Sequence, residues 1–350
     1  MVISRMSMET EGDNTQALYS LSALYRAFGL DAVPAGVIAR LFRDKPPASP
    51  LSGGLPTPSL IRESFESTSD HEHVEWGRGG FSSPPLSLRV PEAIQEDIQK
   101  RWIATSSTPR NDIADLYLQK ALNSSWLYRF CPFVRYVAVA NTVAFETASD
   151  GSDIDLFIIV KKGHIHLARL FLFVATQLLG IRRHGKKIAG RLCLSFFMDD
   201  DPTTWDFSVI ALSGGDPYLA WWLATLIPLY DPRDLHSELL KTNSEWLKRE
   251  VGYEVPVIPD KDVLGRDPGS RIKNQKETFF KSLLEWFFVT SLGHFLESLA
   301  NKIILSRAHK KMSRLTSNTG TIISDTILKF HDVDRREEIR EKYEASLEKV

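Results

Sequence analysis

Cysteine is scarce in this chain of 350 residues, which contains two, Cys131 and Cys193. Two cysteines cannot build a disulfide framework, and neither lies in a Cys-x-x-Cys motif or a histidine-rich stretch. We therefore expect no structural zinc site around them. Scarce cysteine is typical of proteins from a reducing compartment, so we predict a cytoplasmic location.

The chain also lacks a strong net charge and a long uninterrupted apolar segment. Its formal net charge is -1, so no global field favours nucleic acid or an anionic membrane. The two most apolar helical stretches, residues 166–181 and 282–305, are interrupted by ionisable side chains such as Arg169 and Glu285. The first fourteen residues have no apolar core of signal-peptide length. We therefore predict no membrane span.

The chain is long enough for more than one domain, and 43% of its residues are hydrophobic. Residues 1–110 form the first predicted region. The pattern predicts two short helices, a Pro/Gly/Ser-rich loop at 44–59, a third short helix and a hairpin around residues 77–80. This order resembles a winged helix. The segment 59–73 is acidic on balance, which disfavours DNA recognition by the third helix.

Residues 111–231 alternate between helical and strand patterns. Helices are predicted in "DIADLYLQKALNSSWLYRF" and "HIHLARLFLFVATQLLG", and strands in "VRYVAVA", "DLFIIV" and "RLCLSFFM". Alternation of this kind indicates an α/β fold with helices packed against a sheet. The second helix is apolar nearly all round, which predicts that it is covered on more than one side.

Residues 232–350 are predicted to form a helical C-terminal region. The segment is rich in charged residues, and Trp286, Phe287 and Phe295 supply an apolar face. We expect this face to be available for a protein partner.

Two aspartates, Asp153 and Asp155, stand at the start of the apolar run "DLFIIV". Side chains two residues apart in a strand point to the same face, so the pair forms a dicarboxylate claw. Adjacent carboxylates repel each other unless a cation lies between them, and Mg²⁺ prefers such oxygen ligands. A solvated strand end is the alternative explanation, because Asp-x-Asp is a common short pattern.

The surrounding segment "VAVANTVAFETASDGSDIDLFIIV", residues 137–160, adds context to the claw. A strand, a polar turn at Asn141 and Thr142, a spacer and the Asp-x-Asp strand follow in order. This arrangement resembles the nucleotidyltransferase superfamily related to DNA polymerase beta, whose signature is a strand, a Gly-Ser turn, a spacer and an Asp-x-Asp strand. Thr142 matches the serine of that turn, whereas Asn141 departs from its glycine.

The resemblance extends to bacterial nucleotidyltransferase-domain proteins through "GIRRHGKK", "PLYD" and "LKFHDVD". It implies a mixed sheet with helices that binds a nucleoside triphosphate with Mg²⁺ at Asp153 and Asp155. The turn in that family binds phosphate, so Asn141, Thr142 and the nearby Ser152 are the expected nucleotide contacts.

A third carboxylate on a neighbouring strand normally helps to deprotonate the acceptor in that superfamily. In "RLCLSFFMDDD" the residues of one parity are Cys193, Ser195, Phe197 and Asp199, so Asp199 is the candidate third catalytic acid. The alternative is that Asp199 begins a solvated acidic turn before Pro202.

Residues 161–191 contain eight basic side chains and no acidic one. Within this segment Arg182, Arg183, Lys186 and Lys187 are the candidates for binding the triphosphate or the phosphates of a nucleic-acid acceptor. A solvated basic loop is the alternative.

These features predict an Mg²⁺-dependent nucleotidyltransferase that transfers a nucleoside monophosphate to a nucleic acid, a protein or a small molecule. The alternatives are a degenerate module that keeps the fold for nucleotide binding or assembly, and a structural subunit that binds no nucleotide. Asn141 and the absence of a clear mid-strand acid favour the degenerate module.

Overall fold

The computed structural model describes residues 16–42, 111–255, 278–302 without 291, 292 and 294, 321–330 without 325, and 334–347. A six-stranded sheet runs through these residues in the order β4-β1-β2-β3-β6-β5. The strands are β1 (Val134–Ala140), β2 (Ile154–Val160), β3 (Leu192–Asp199), β4 (Ile227–Tyr230), β5 (Thr321–Ile323) and β6 (Ile327–Phe330). β2 and β3 are parallel, and the other neighbouring pairs are antiparallel. The mixed α/β prediction is thus confirmed.

Helices cover both faces of the sheet, each over its own apolar layer. On one face lie residues 16–27, Ala35–Leu41, Pro217–Ala224, Leu235–Thr242, Ser244–Val251 and Arg336–Leu347. On the other face lie Asp112–Ser124, Ile165–Leu178, Phe279–Phe288 and residues 295–302. Two buried layers are what a strand such as β2 requires, because all its residues except Asp155 are buried.

The helix Pro217–Ala224 shows how local sequence sets an element that covers the sheet. Asp216 accepts a hydrogen bond from the backbone nitrogen of Leu219, and Pro217 occupies the first turn, where a missing N–H costs nothing. Its Trp222 stacks on Phe196 of β3 with the ring centroids 5.5 Å apart. This helix was not predicted, because its residues are nearly all buried and show no amphipathic period.

The N-terminal prediction is met where the structure describes it. The two first helices are present at residues 16–27 and Ala35–Leu41. The loop at 44–59, the third helix and the hairpin lie outside the described residues. The winged-helix resemblance therefore stays a prediction.

The C-terminal region differs from the helical prediction. β5 and β6 extend the central sheet from the edge of β3, so part of this region belongs to the α/β core. A strand of three or four residues is too short to show a clear period of two. The edge strand β4 was missed for the same reason.

Some apolar side chains of the helices on the second face are exposed. Helix Ile165–Leu178 packs on the sheet and also contacts the following helices, since Phe171 lies 5.3 Å from Phe288 between ring centroids and Glu297 accepts from the backbone nitrogen of His166. Its C-terminal end lacks this cover among the described residues, where Leu178 is 83% exposed. Phe279, Trp286 and Phe295 are exposed as well. A protein partner at the C-terminal region stays a prediction. None of the described helices is long and apolar enough to cross a bilayer.

Candidate functional site

The two aspartates lie at the N-terminal end of β2, where it pairs with the last residue of β1. Ala140 pairs with Asp155, and Asp153 precedes the first residue of the strand. Ala140 belongs to the apolar layer under the N-terminal helices, and directly paired residues share a face. Asp155 therefore points toward the face covered by helix Pro217–Ala224, as the predicted claw requires.

Each carboxylate of the claw already has a polar partner. The guanidinium Nη1 of Arg183 lies 2.6 Å from Oδ2 of Asp153, and the amide Nδ2 of Asn141 donates to Oδ2 of Asp155 at 2.7 Å. Burial disfavours the charge of Arg183, yet its pKa is raised because Asp153 stabilises the guanidinium. The claw therefore contains its own cation, which offsets the repulsion between the two acids.

Asn141 occupies the turn between β1 and helix Asn141–Ala144 in a left-handed conformation, with φ of 54°. Asparagine tolerates this region better than most residues with a side chain, and glycine adopts it freely. The side chain joins the claw to the covering helix, because its Oδ1 accepts from the hydroxyl of Tyr218 at 3.2 Å. Asn141 thus preserves a turn that glycine would fit, and its amide contacts the claw.

Cys193 of β3 pairs directly with Asp155, on the strand where a third carboxylate was expected. One ligand atom from each of Asp153, Asp155 and Cys193 lies within 4.8 Å of the others. Burial, followed by the charges of Asp155 and Asp153, raises the pKa of the Cys193 thiol. The group opposite Asp155 is therefore a neutral thiol, which cannot act as a carboxylate base.

The donor set of this cluster fits Mg²⁺ through its carboxylates. Mg²⁺ commonly binds one or two carboxylates and takes its remaining ligands from water and phosphate oxygens. Asp153 and Asp155 supply two such carboxylates. A protonated thiol is a poor ligand for this hard cation, so Cys193 is not part of the fitting set.

A cavity of about 1330 Å³ opens in front of the claw. It lies between the sheet and elements from residues 26–30, helix Pro217–Ala224 and the C-terminal helix. Among the described residues, its basic lining consists of Arg26, Arg169, Arg182, Arg183, Lys329, Arg335, Arg336 and Lys342, and its aspartates are Asp153, Asp155 and Asp334. Basic side chains outnumber acidic ones, which suits a ligand that carries several negative charges.

Most of the predicted nucleotide contacts line this cavity. Asn141, Thr142, Ser152, Arg182 and Arg183 are all part of its wall. The Ser152 hydroxyl also accepts a hydrogen bond from the backbone nitrogen of Ser149, so it closes the loop before β2. The structure therefore brings the turn, the claw and the first half of the basic segment together.

Lys186 and Lys187 are the predicted contacts that the structure does not bring to the cavity. Both are exposed, and neither is part of its wall. They lie around the turn closed by the bridge between His184 and Lys187, beyond the point where Arg183 reaches Asp153. Both lysines therefore lie outside the expected site, because this turn projects into solvent.

Asp199 is also not brought to the claw. It pairs with Val160, five positions along β2 from Asp155, or roughly 16 Å away. Between the pairs Asp155–Cys193 and Phe157–Phe196, β3 contains one more residue than β2, and this bulge reverses the parity. Asp199 instead accepts a hydrogen bond from the Thr204 hydroxyl, and burial raises its pKa. It cannot serve as the third acid of this site.

Sequence reasoning missed Cys193, Tyr218 and Lys329 as residues of the site. Cys193 belonged to the expected strand, but its pairing with Asp155 depends on the register of β3 against β2, which parity within one strand does not give. Tyr218 and Lys329 approach from elements that are distant in sequence, and no local pattern marks them.

Comparisons with known proteins do not assign the chain to a family. No family model, no curated protein and no solved structure matches the chain.

Proposed function

We propose that the cavity binds a nucleoside triphosphate together with Mg²⁺ held by Asp153 and Asp155. One observation carries the proposal: the two carboxylates open onto a large cavity whose other charged side chains are mostly basic. A metal supported by two acids, beside a wall of arginines, suits the phosphates of a nucleotide. The order of strand, turn, spacer and Asp-x-Asp strand supports the same assignment.

Arg183 has a double role in this proposal. Its guanidinium pairs with Asp153 and lies in the wall of the cavity. A ligand with phosphate oxygens offers it a second anionic partner, and a planar guanidinium suits phosphate geometry. Arg182 lies beside it, packed over the ring of Phe173 at 4.1 Å, which restricts where its charge can point. Mg²⁺, when bound, would neutralise phosphate charge at the claw.

Binding without transfer is the function that we favour. Nucleotidyl transfer requires an acceptor to lose a proton, and a third carboxylate commonly assists that step. In the described part of the chain, the strand next to Asp155 offers the protonated thiol of Cys193 instead. The protein would then respond to nucleotide through the helices that close the cavity.

A nucleotidyltransferase is the second candidate, because the claw and the phosphate-binding turn lie side by side as that chemistry requires. Its acceptor would be a nucleic acid, a protein or a small molecule.

The proposal is tested by thermal shift and calorimetry with each of the four common NTPs, with Mg²⁺ and with EDTA. We expect at least one NTP to raise the melting temperature when Mg²⁺ is present, because a ligand of the native state stabilises it by mass action. Failure of every NTP to bind would refute the proposal. Incubation with α-labelled NTP separates the candidates, since labelled adducts would establish transfer and binding alone would establish the module.

A further inference from the structure

Lys329 lies in β6, on the wall of the same cavity. It pairs with Phe196 of β3, which in turn pairs with Phe157 of β2. Phe157 and Phe196 belong to the apolar layer on the face to which Asp155 points. Lys329 therefore shares that face with the claw, two strands away and two positions further along the sheet, roughly 10 Å across the strands.

The side chain of Lys329 is largely buried, and among the described residues its ammonium has no counter-ion at contact distance. Lys329 is 7% exposed, and among the described residues it makes no hydrogen bond and no ion pair. The centroid of the Phe196 ring lies 5.9 Å from Nζ, at the outer limit of a cation–π interaction. An unpaired charge on a largely buried side chain is costly.

The charged groups that face this lysine do not contact it. The Arg336 guanidinium binds Asp216 at 2.9 Å and Asp334 at 2.8 Å, so the two acids share one cation. The three groups together carry a net charge of -1, but neither carboxylate forms an ion pair with Lys329. Burial, followed by the charge of Arg336, lowers the pKa of Lys329 to about 8. Near neutral pH the lysine still carries a charge, and an anion in the cavity would be its missing partner.

We propose that Lys329 forms a second phosphate-binding subsite of the cavity, across the sheet from the claw. This subsite rests on the proposed function, because that function identifies the ligand as a phosphate compound. It adds that the cavity binds phosphate oxygens at two places. The ammonium donates to the phosphate oxygens. Arg335, just before the C-terminal helix, and Lys342 on that helix line the same wall, where both pair with Glu338.

Two sources could supply the phosphate. It could be the terminal phosphate of the nucleotide held at the claw, or a phosphate of a second molecule. In the first case pyrophosphate competes with Mg-ATP for binding, and removing the lysine lowers the affinity for Mg-ATP. In the second case pyrophosphate and Mg-ATP bind together, and Mg-ATP affinity does not depend on Lys329.

The test uses calorimetric titration of the full chain with pyrophosphate in EDTA, and then with Mg-ATP. The variants are Lys329→Met, which keeps length without charge, and Lys329→Arg, which keeps the charge. Lys241→Met is the matched control, because Lys241 is an exposed lysine on helix Leu235–Thr242 and lies outside the cavity wall. We expect Lys329→Met to weaken pyrophosphate binding by about tenfold or more, whereas the other two variants bind nearly as wild type does.

Two outcomes would overturn the subsite: wild type that does not bind pyrophosphate, or Lys329→Met that binds it as tightly as wild type does. Both outcomes differ from a failure of the proposed function, because that function is tested by the binding of Mg-NTP to the wild-type protein. A wild type that binds pyrophosphate through Lys329 but no Mg-NTP would refute the nucleotide proposal and leave the phosphate subsite standing.

Discussion

Arg183 Nη1 lies 2.6 Å from Oδ2 of Asp153, and this ion pair places a cation beside the two adjacent carboxylates. The pair explains how the start of a buried strand tolerates Asp153 next to Asp155. A metal bound at the claw would compete with this guanidinium for one carboxylate. Arg183 would then be available to phosphate, since it already lines the cavity.

Neutralising the claw should abolish metal-dependent binding. In Asp153→Asn/Asp155→Asn, we expect Mg²⁺ to give no gain in NTP affinity, because amide oxygens bind Mg²⁺ far more weakly than carboxylates do. The free energy of unfolding in EDTA should change by less than about 1 kcal/mol, since the lost ion pair is partly exposed and repulsion is relieved. Calorimetry and urea unfolding measure the two quantities.

The matched control for the claw is Asp150→Asn, which changes the same charge in the exposed turn before β2 and lies outside the cavity wall. It should retain Mg²⁺-dependent binding. If the double variant instead unfolds, the carboxylates serve the fold and the metal site is refuted.

Asn141→Gly should tighten Mg-NTP binding by about tenfold. Glycine keeps the left-handed turn without strain, frees Oδ2 of Asp155 from the amide and opens space for phosphate. Asn141→Ala is the comparison. It removes the same amide, but alanine in the left-handed conformation costs the folded protein about 1 kcal/mol of stability. Weaker binding by the glycine variant would show that the Asn141 amide is itself a ligand contact.

Cys193→Asp should introduce the third carboxylate beside Asp155. If the site differs from a working transferase mainly at this position, the variant should form labelled nucleotide adducts that wild type does not form. Cys193→Ser is the control, since it replaces the thiol with a polar group that is not a base at neutral pH. No adduct from the aspartate variant in a protein that still binds Mg-NTP would show that more than one residue separates this site from transfer activity.

The two halves of the basic segment should differ in their contribution to anion binding. Arg182→Gln/Arg183→Gln should weaken pyrophosphate binding in EDTA severalfold, and more at low salt than at high salt, because salt screens charge interactions. Lys186→Gln/Lys187→Gln removes the same charge from exposed positions outside the cavity wall and should have a smaller effect. Equal losses from the two variants would mean that a diffuse field binds the anion.

Lys329 should make the free energy of unfolding depend on pH in the alkaline range. Its pKa is lowered from 10.5 to about 8 in the folded chain, so the unfolded chain holds the proton more tightly. The destabilising cost is complete below pH 8 and disappears as pH rises toward 10.5. Lys329→Met lacks this cost, so its stability advantage over wild type should shrink by on the order of 2 kcal/mol between pH 7 and 10. Urea unfolding of both proteins at the two pH values measures this difference, and a constant gap would show that the lysine is not desolvated.

Strong local patterns were enough to predict several of the elements that form the site. The short apolar run Ile154–Val160 predicted a buried strand, and the spacing of Asp153 and Asp155 placed both acids at its start. The segment Ile165–Leu178 had the period and length of a helix. The turn at Asn141 was predicted as well, because a polar pair between two strand patterns is a local signal.

Tertiary structure alone decided which groups meet the claw. One extra residue in β3 placed Cys193 opposite Asp155 and turned Asp199 away. The return of Arg183 to Asp153, and the pairing of β6 that brings Lys329 to the cavity wall, join residues far apart in sequence. Local periodicity contains no information on these contacts, because strand order, bulges and register are set by packing over the whole sheet.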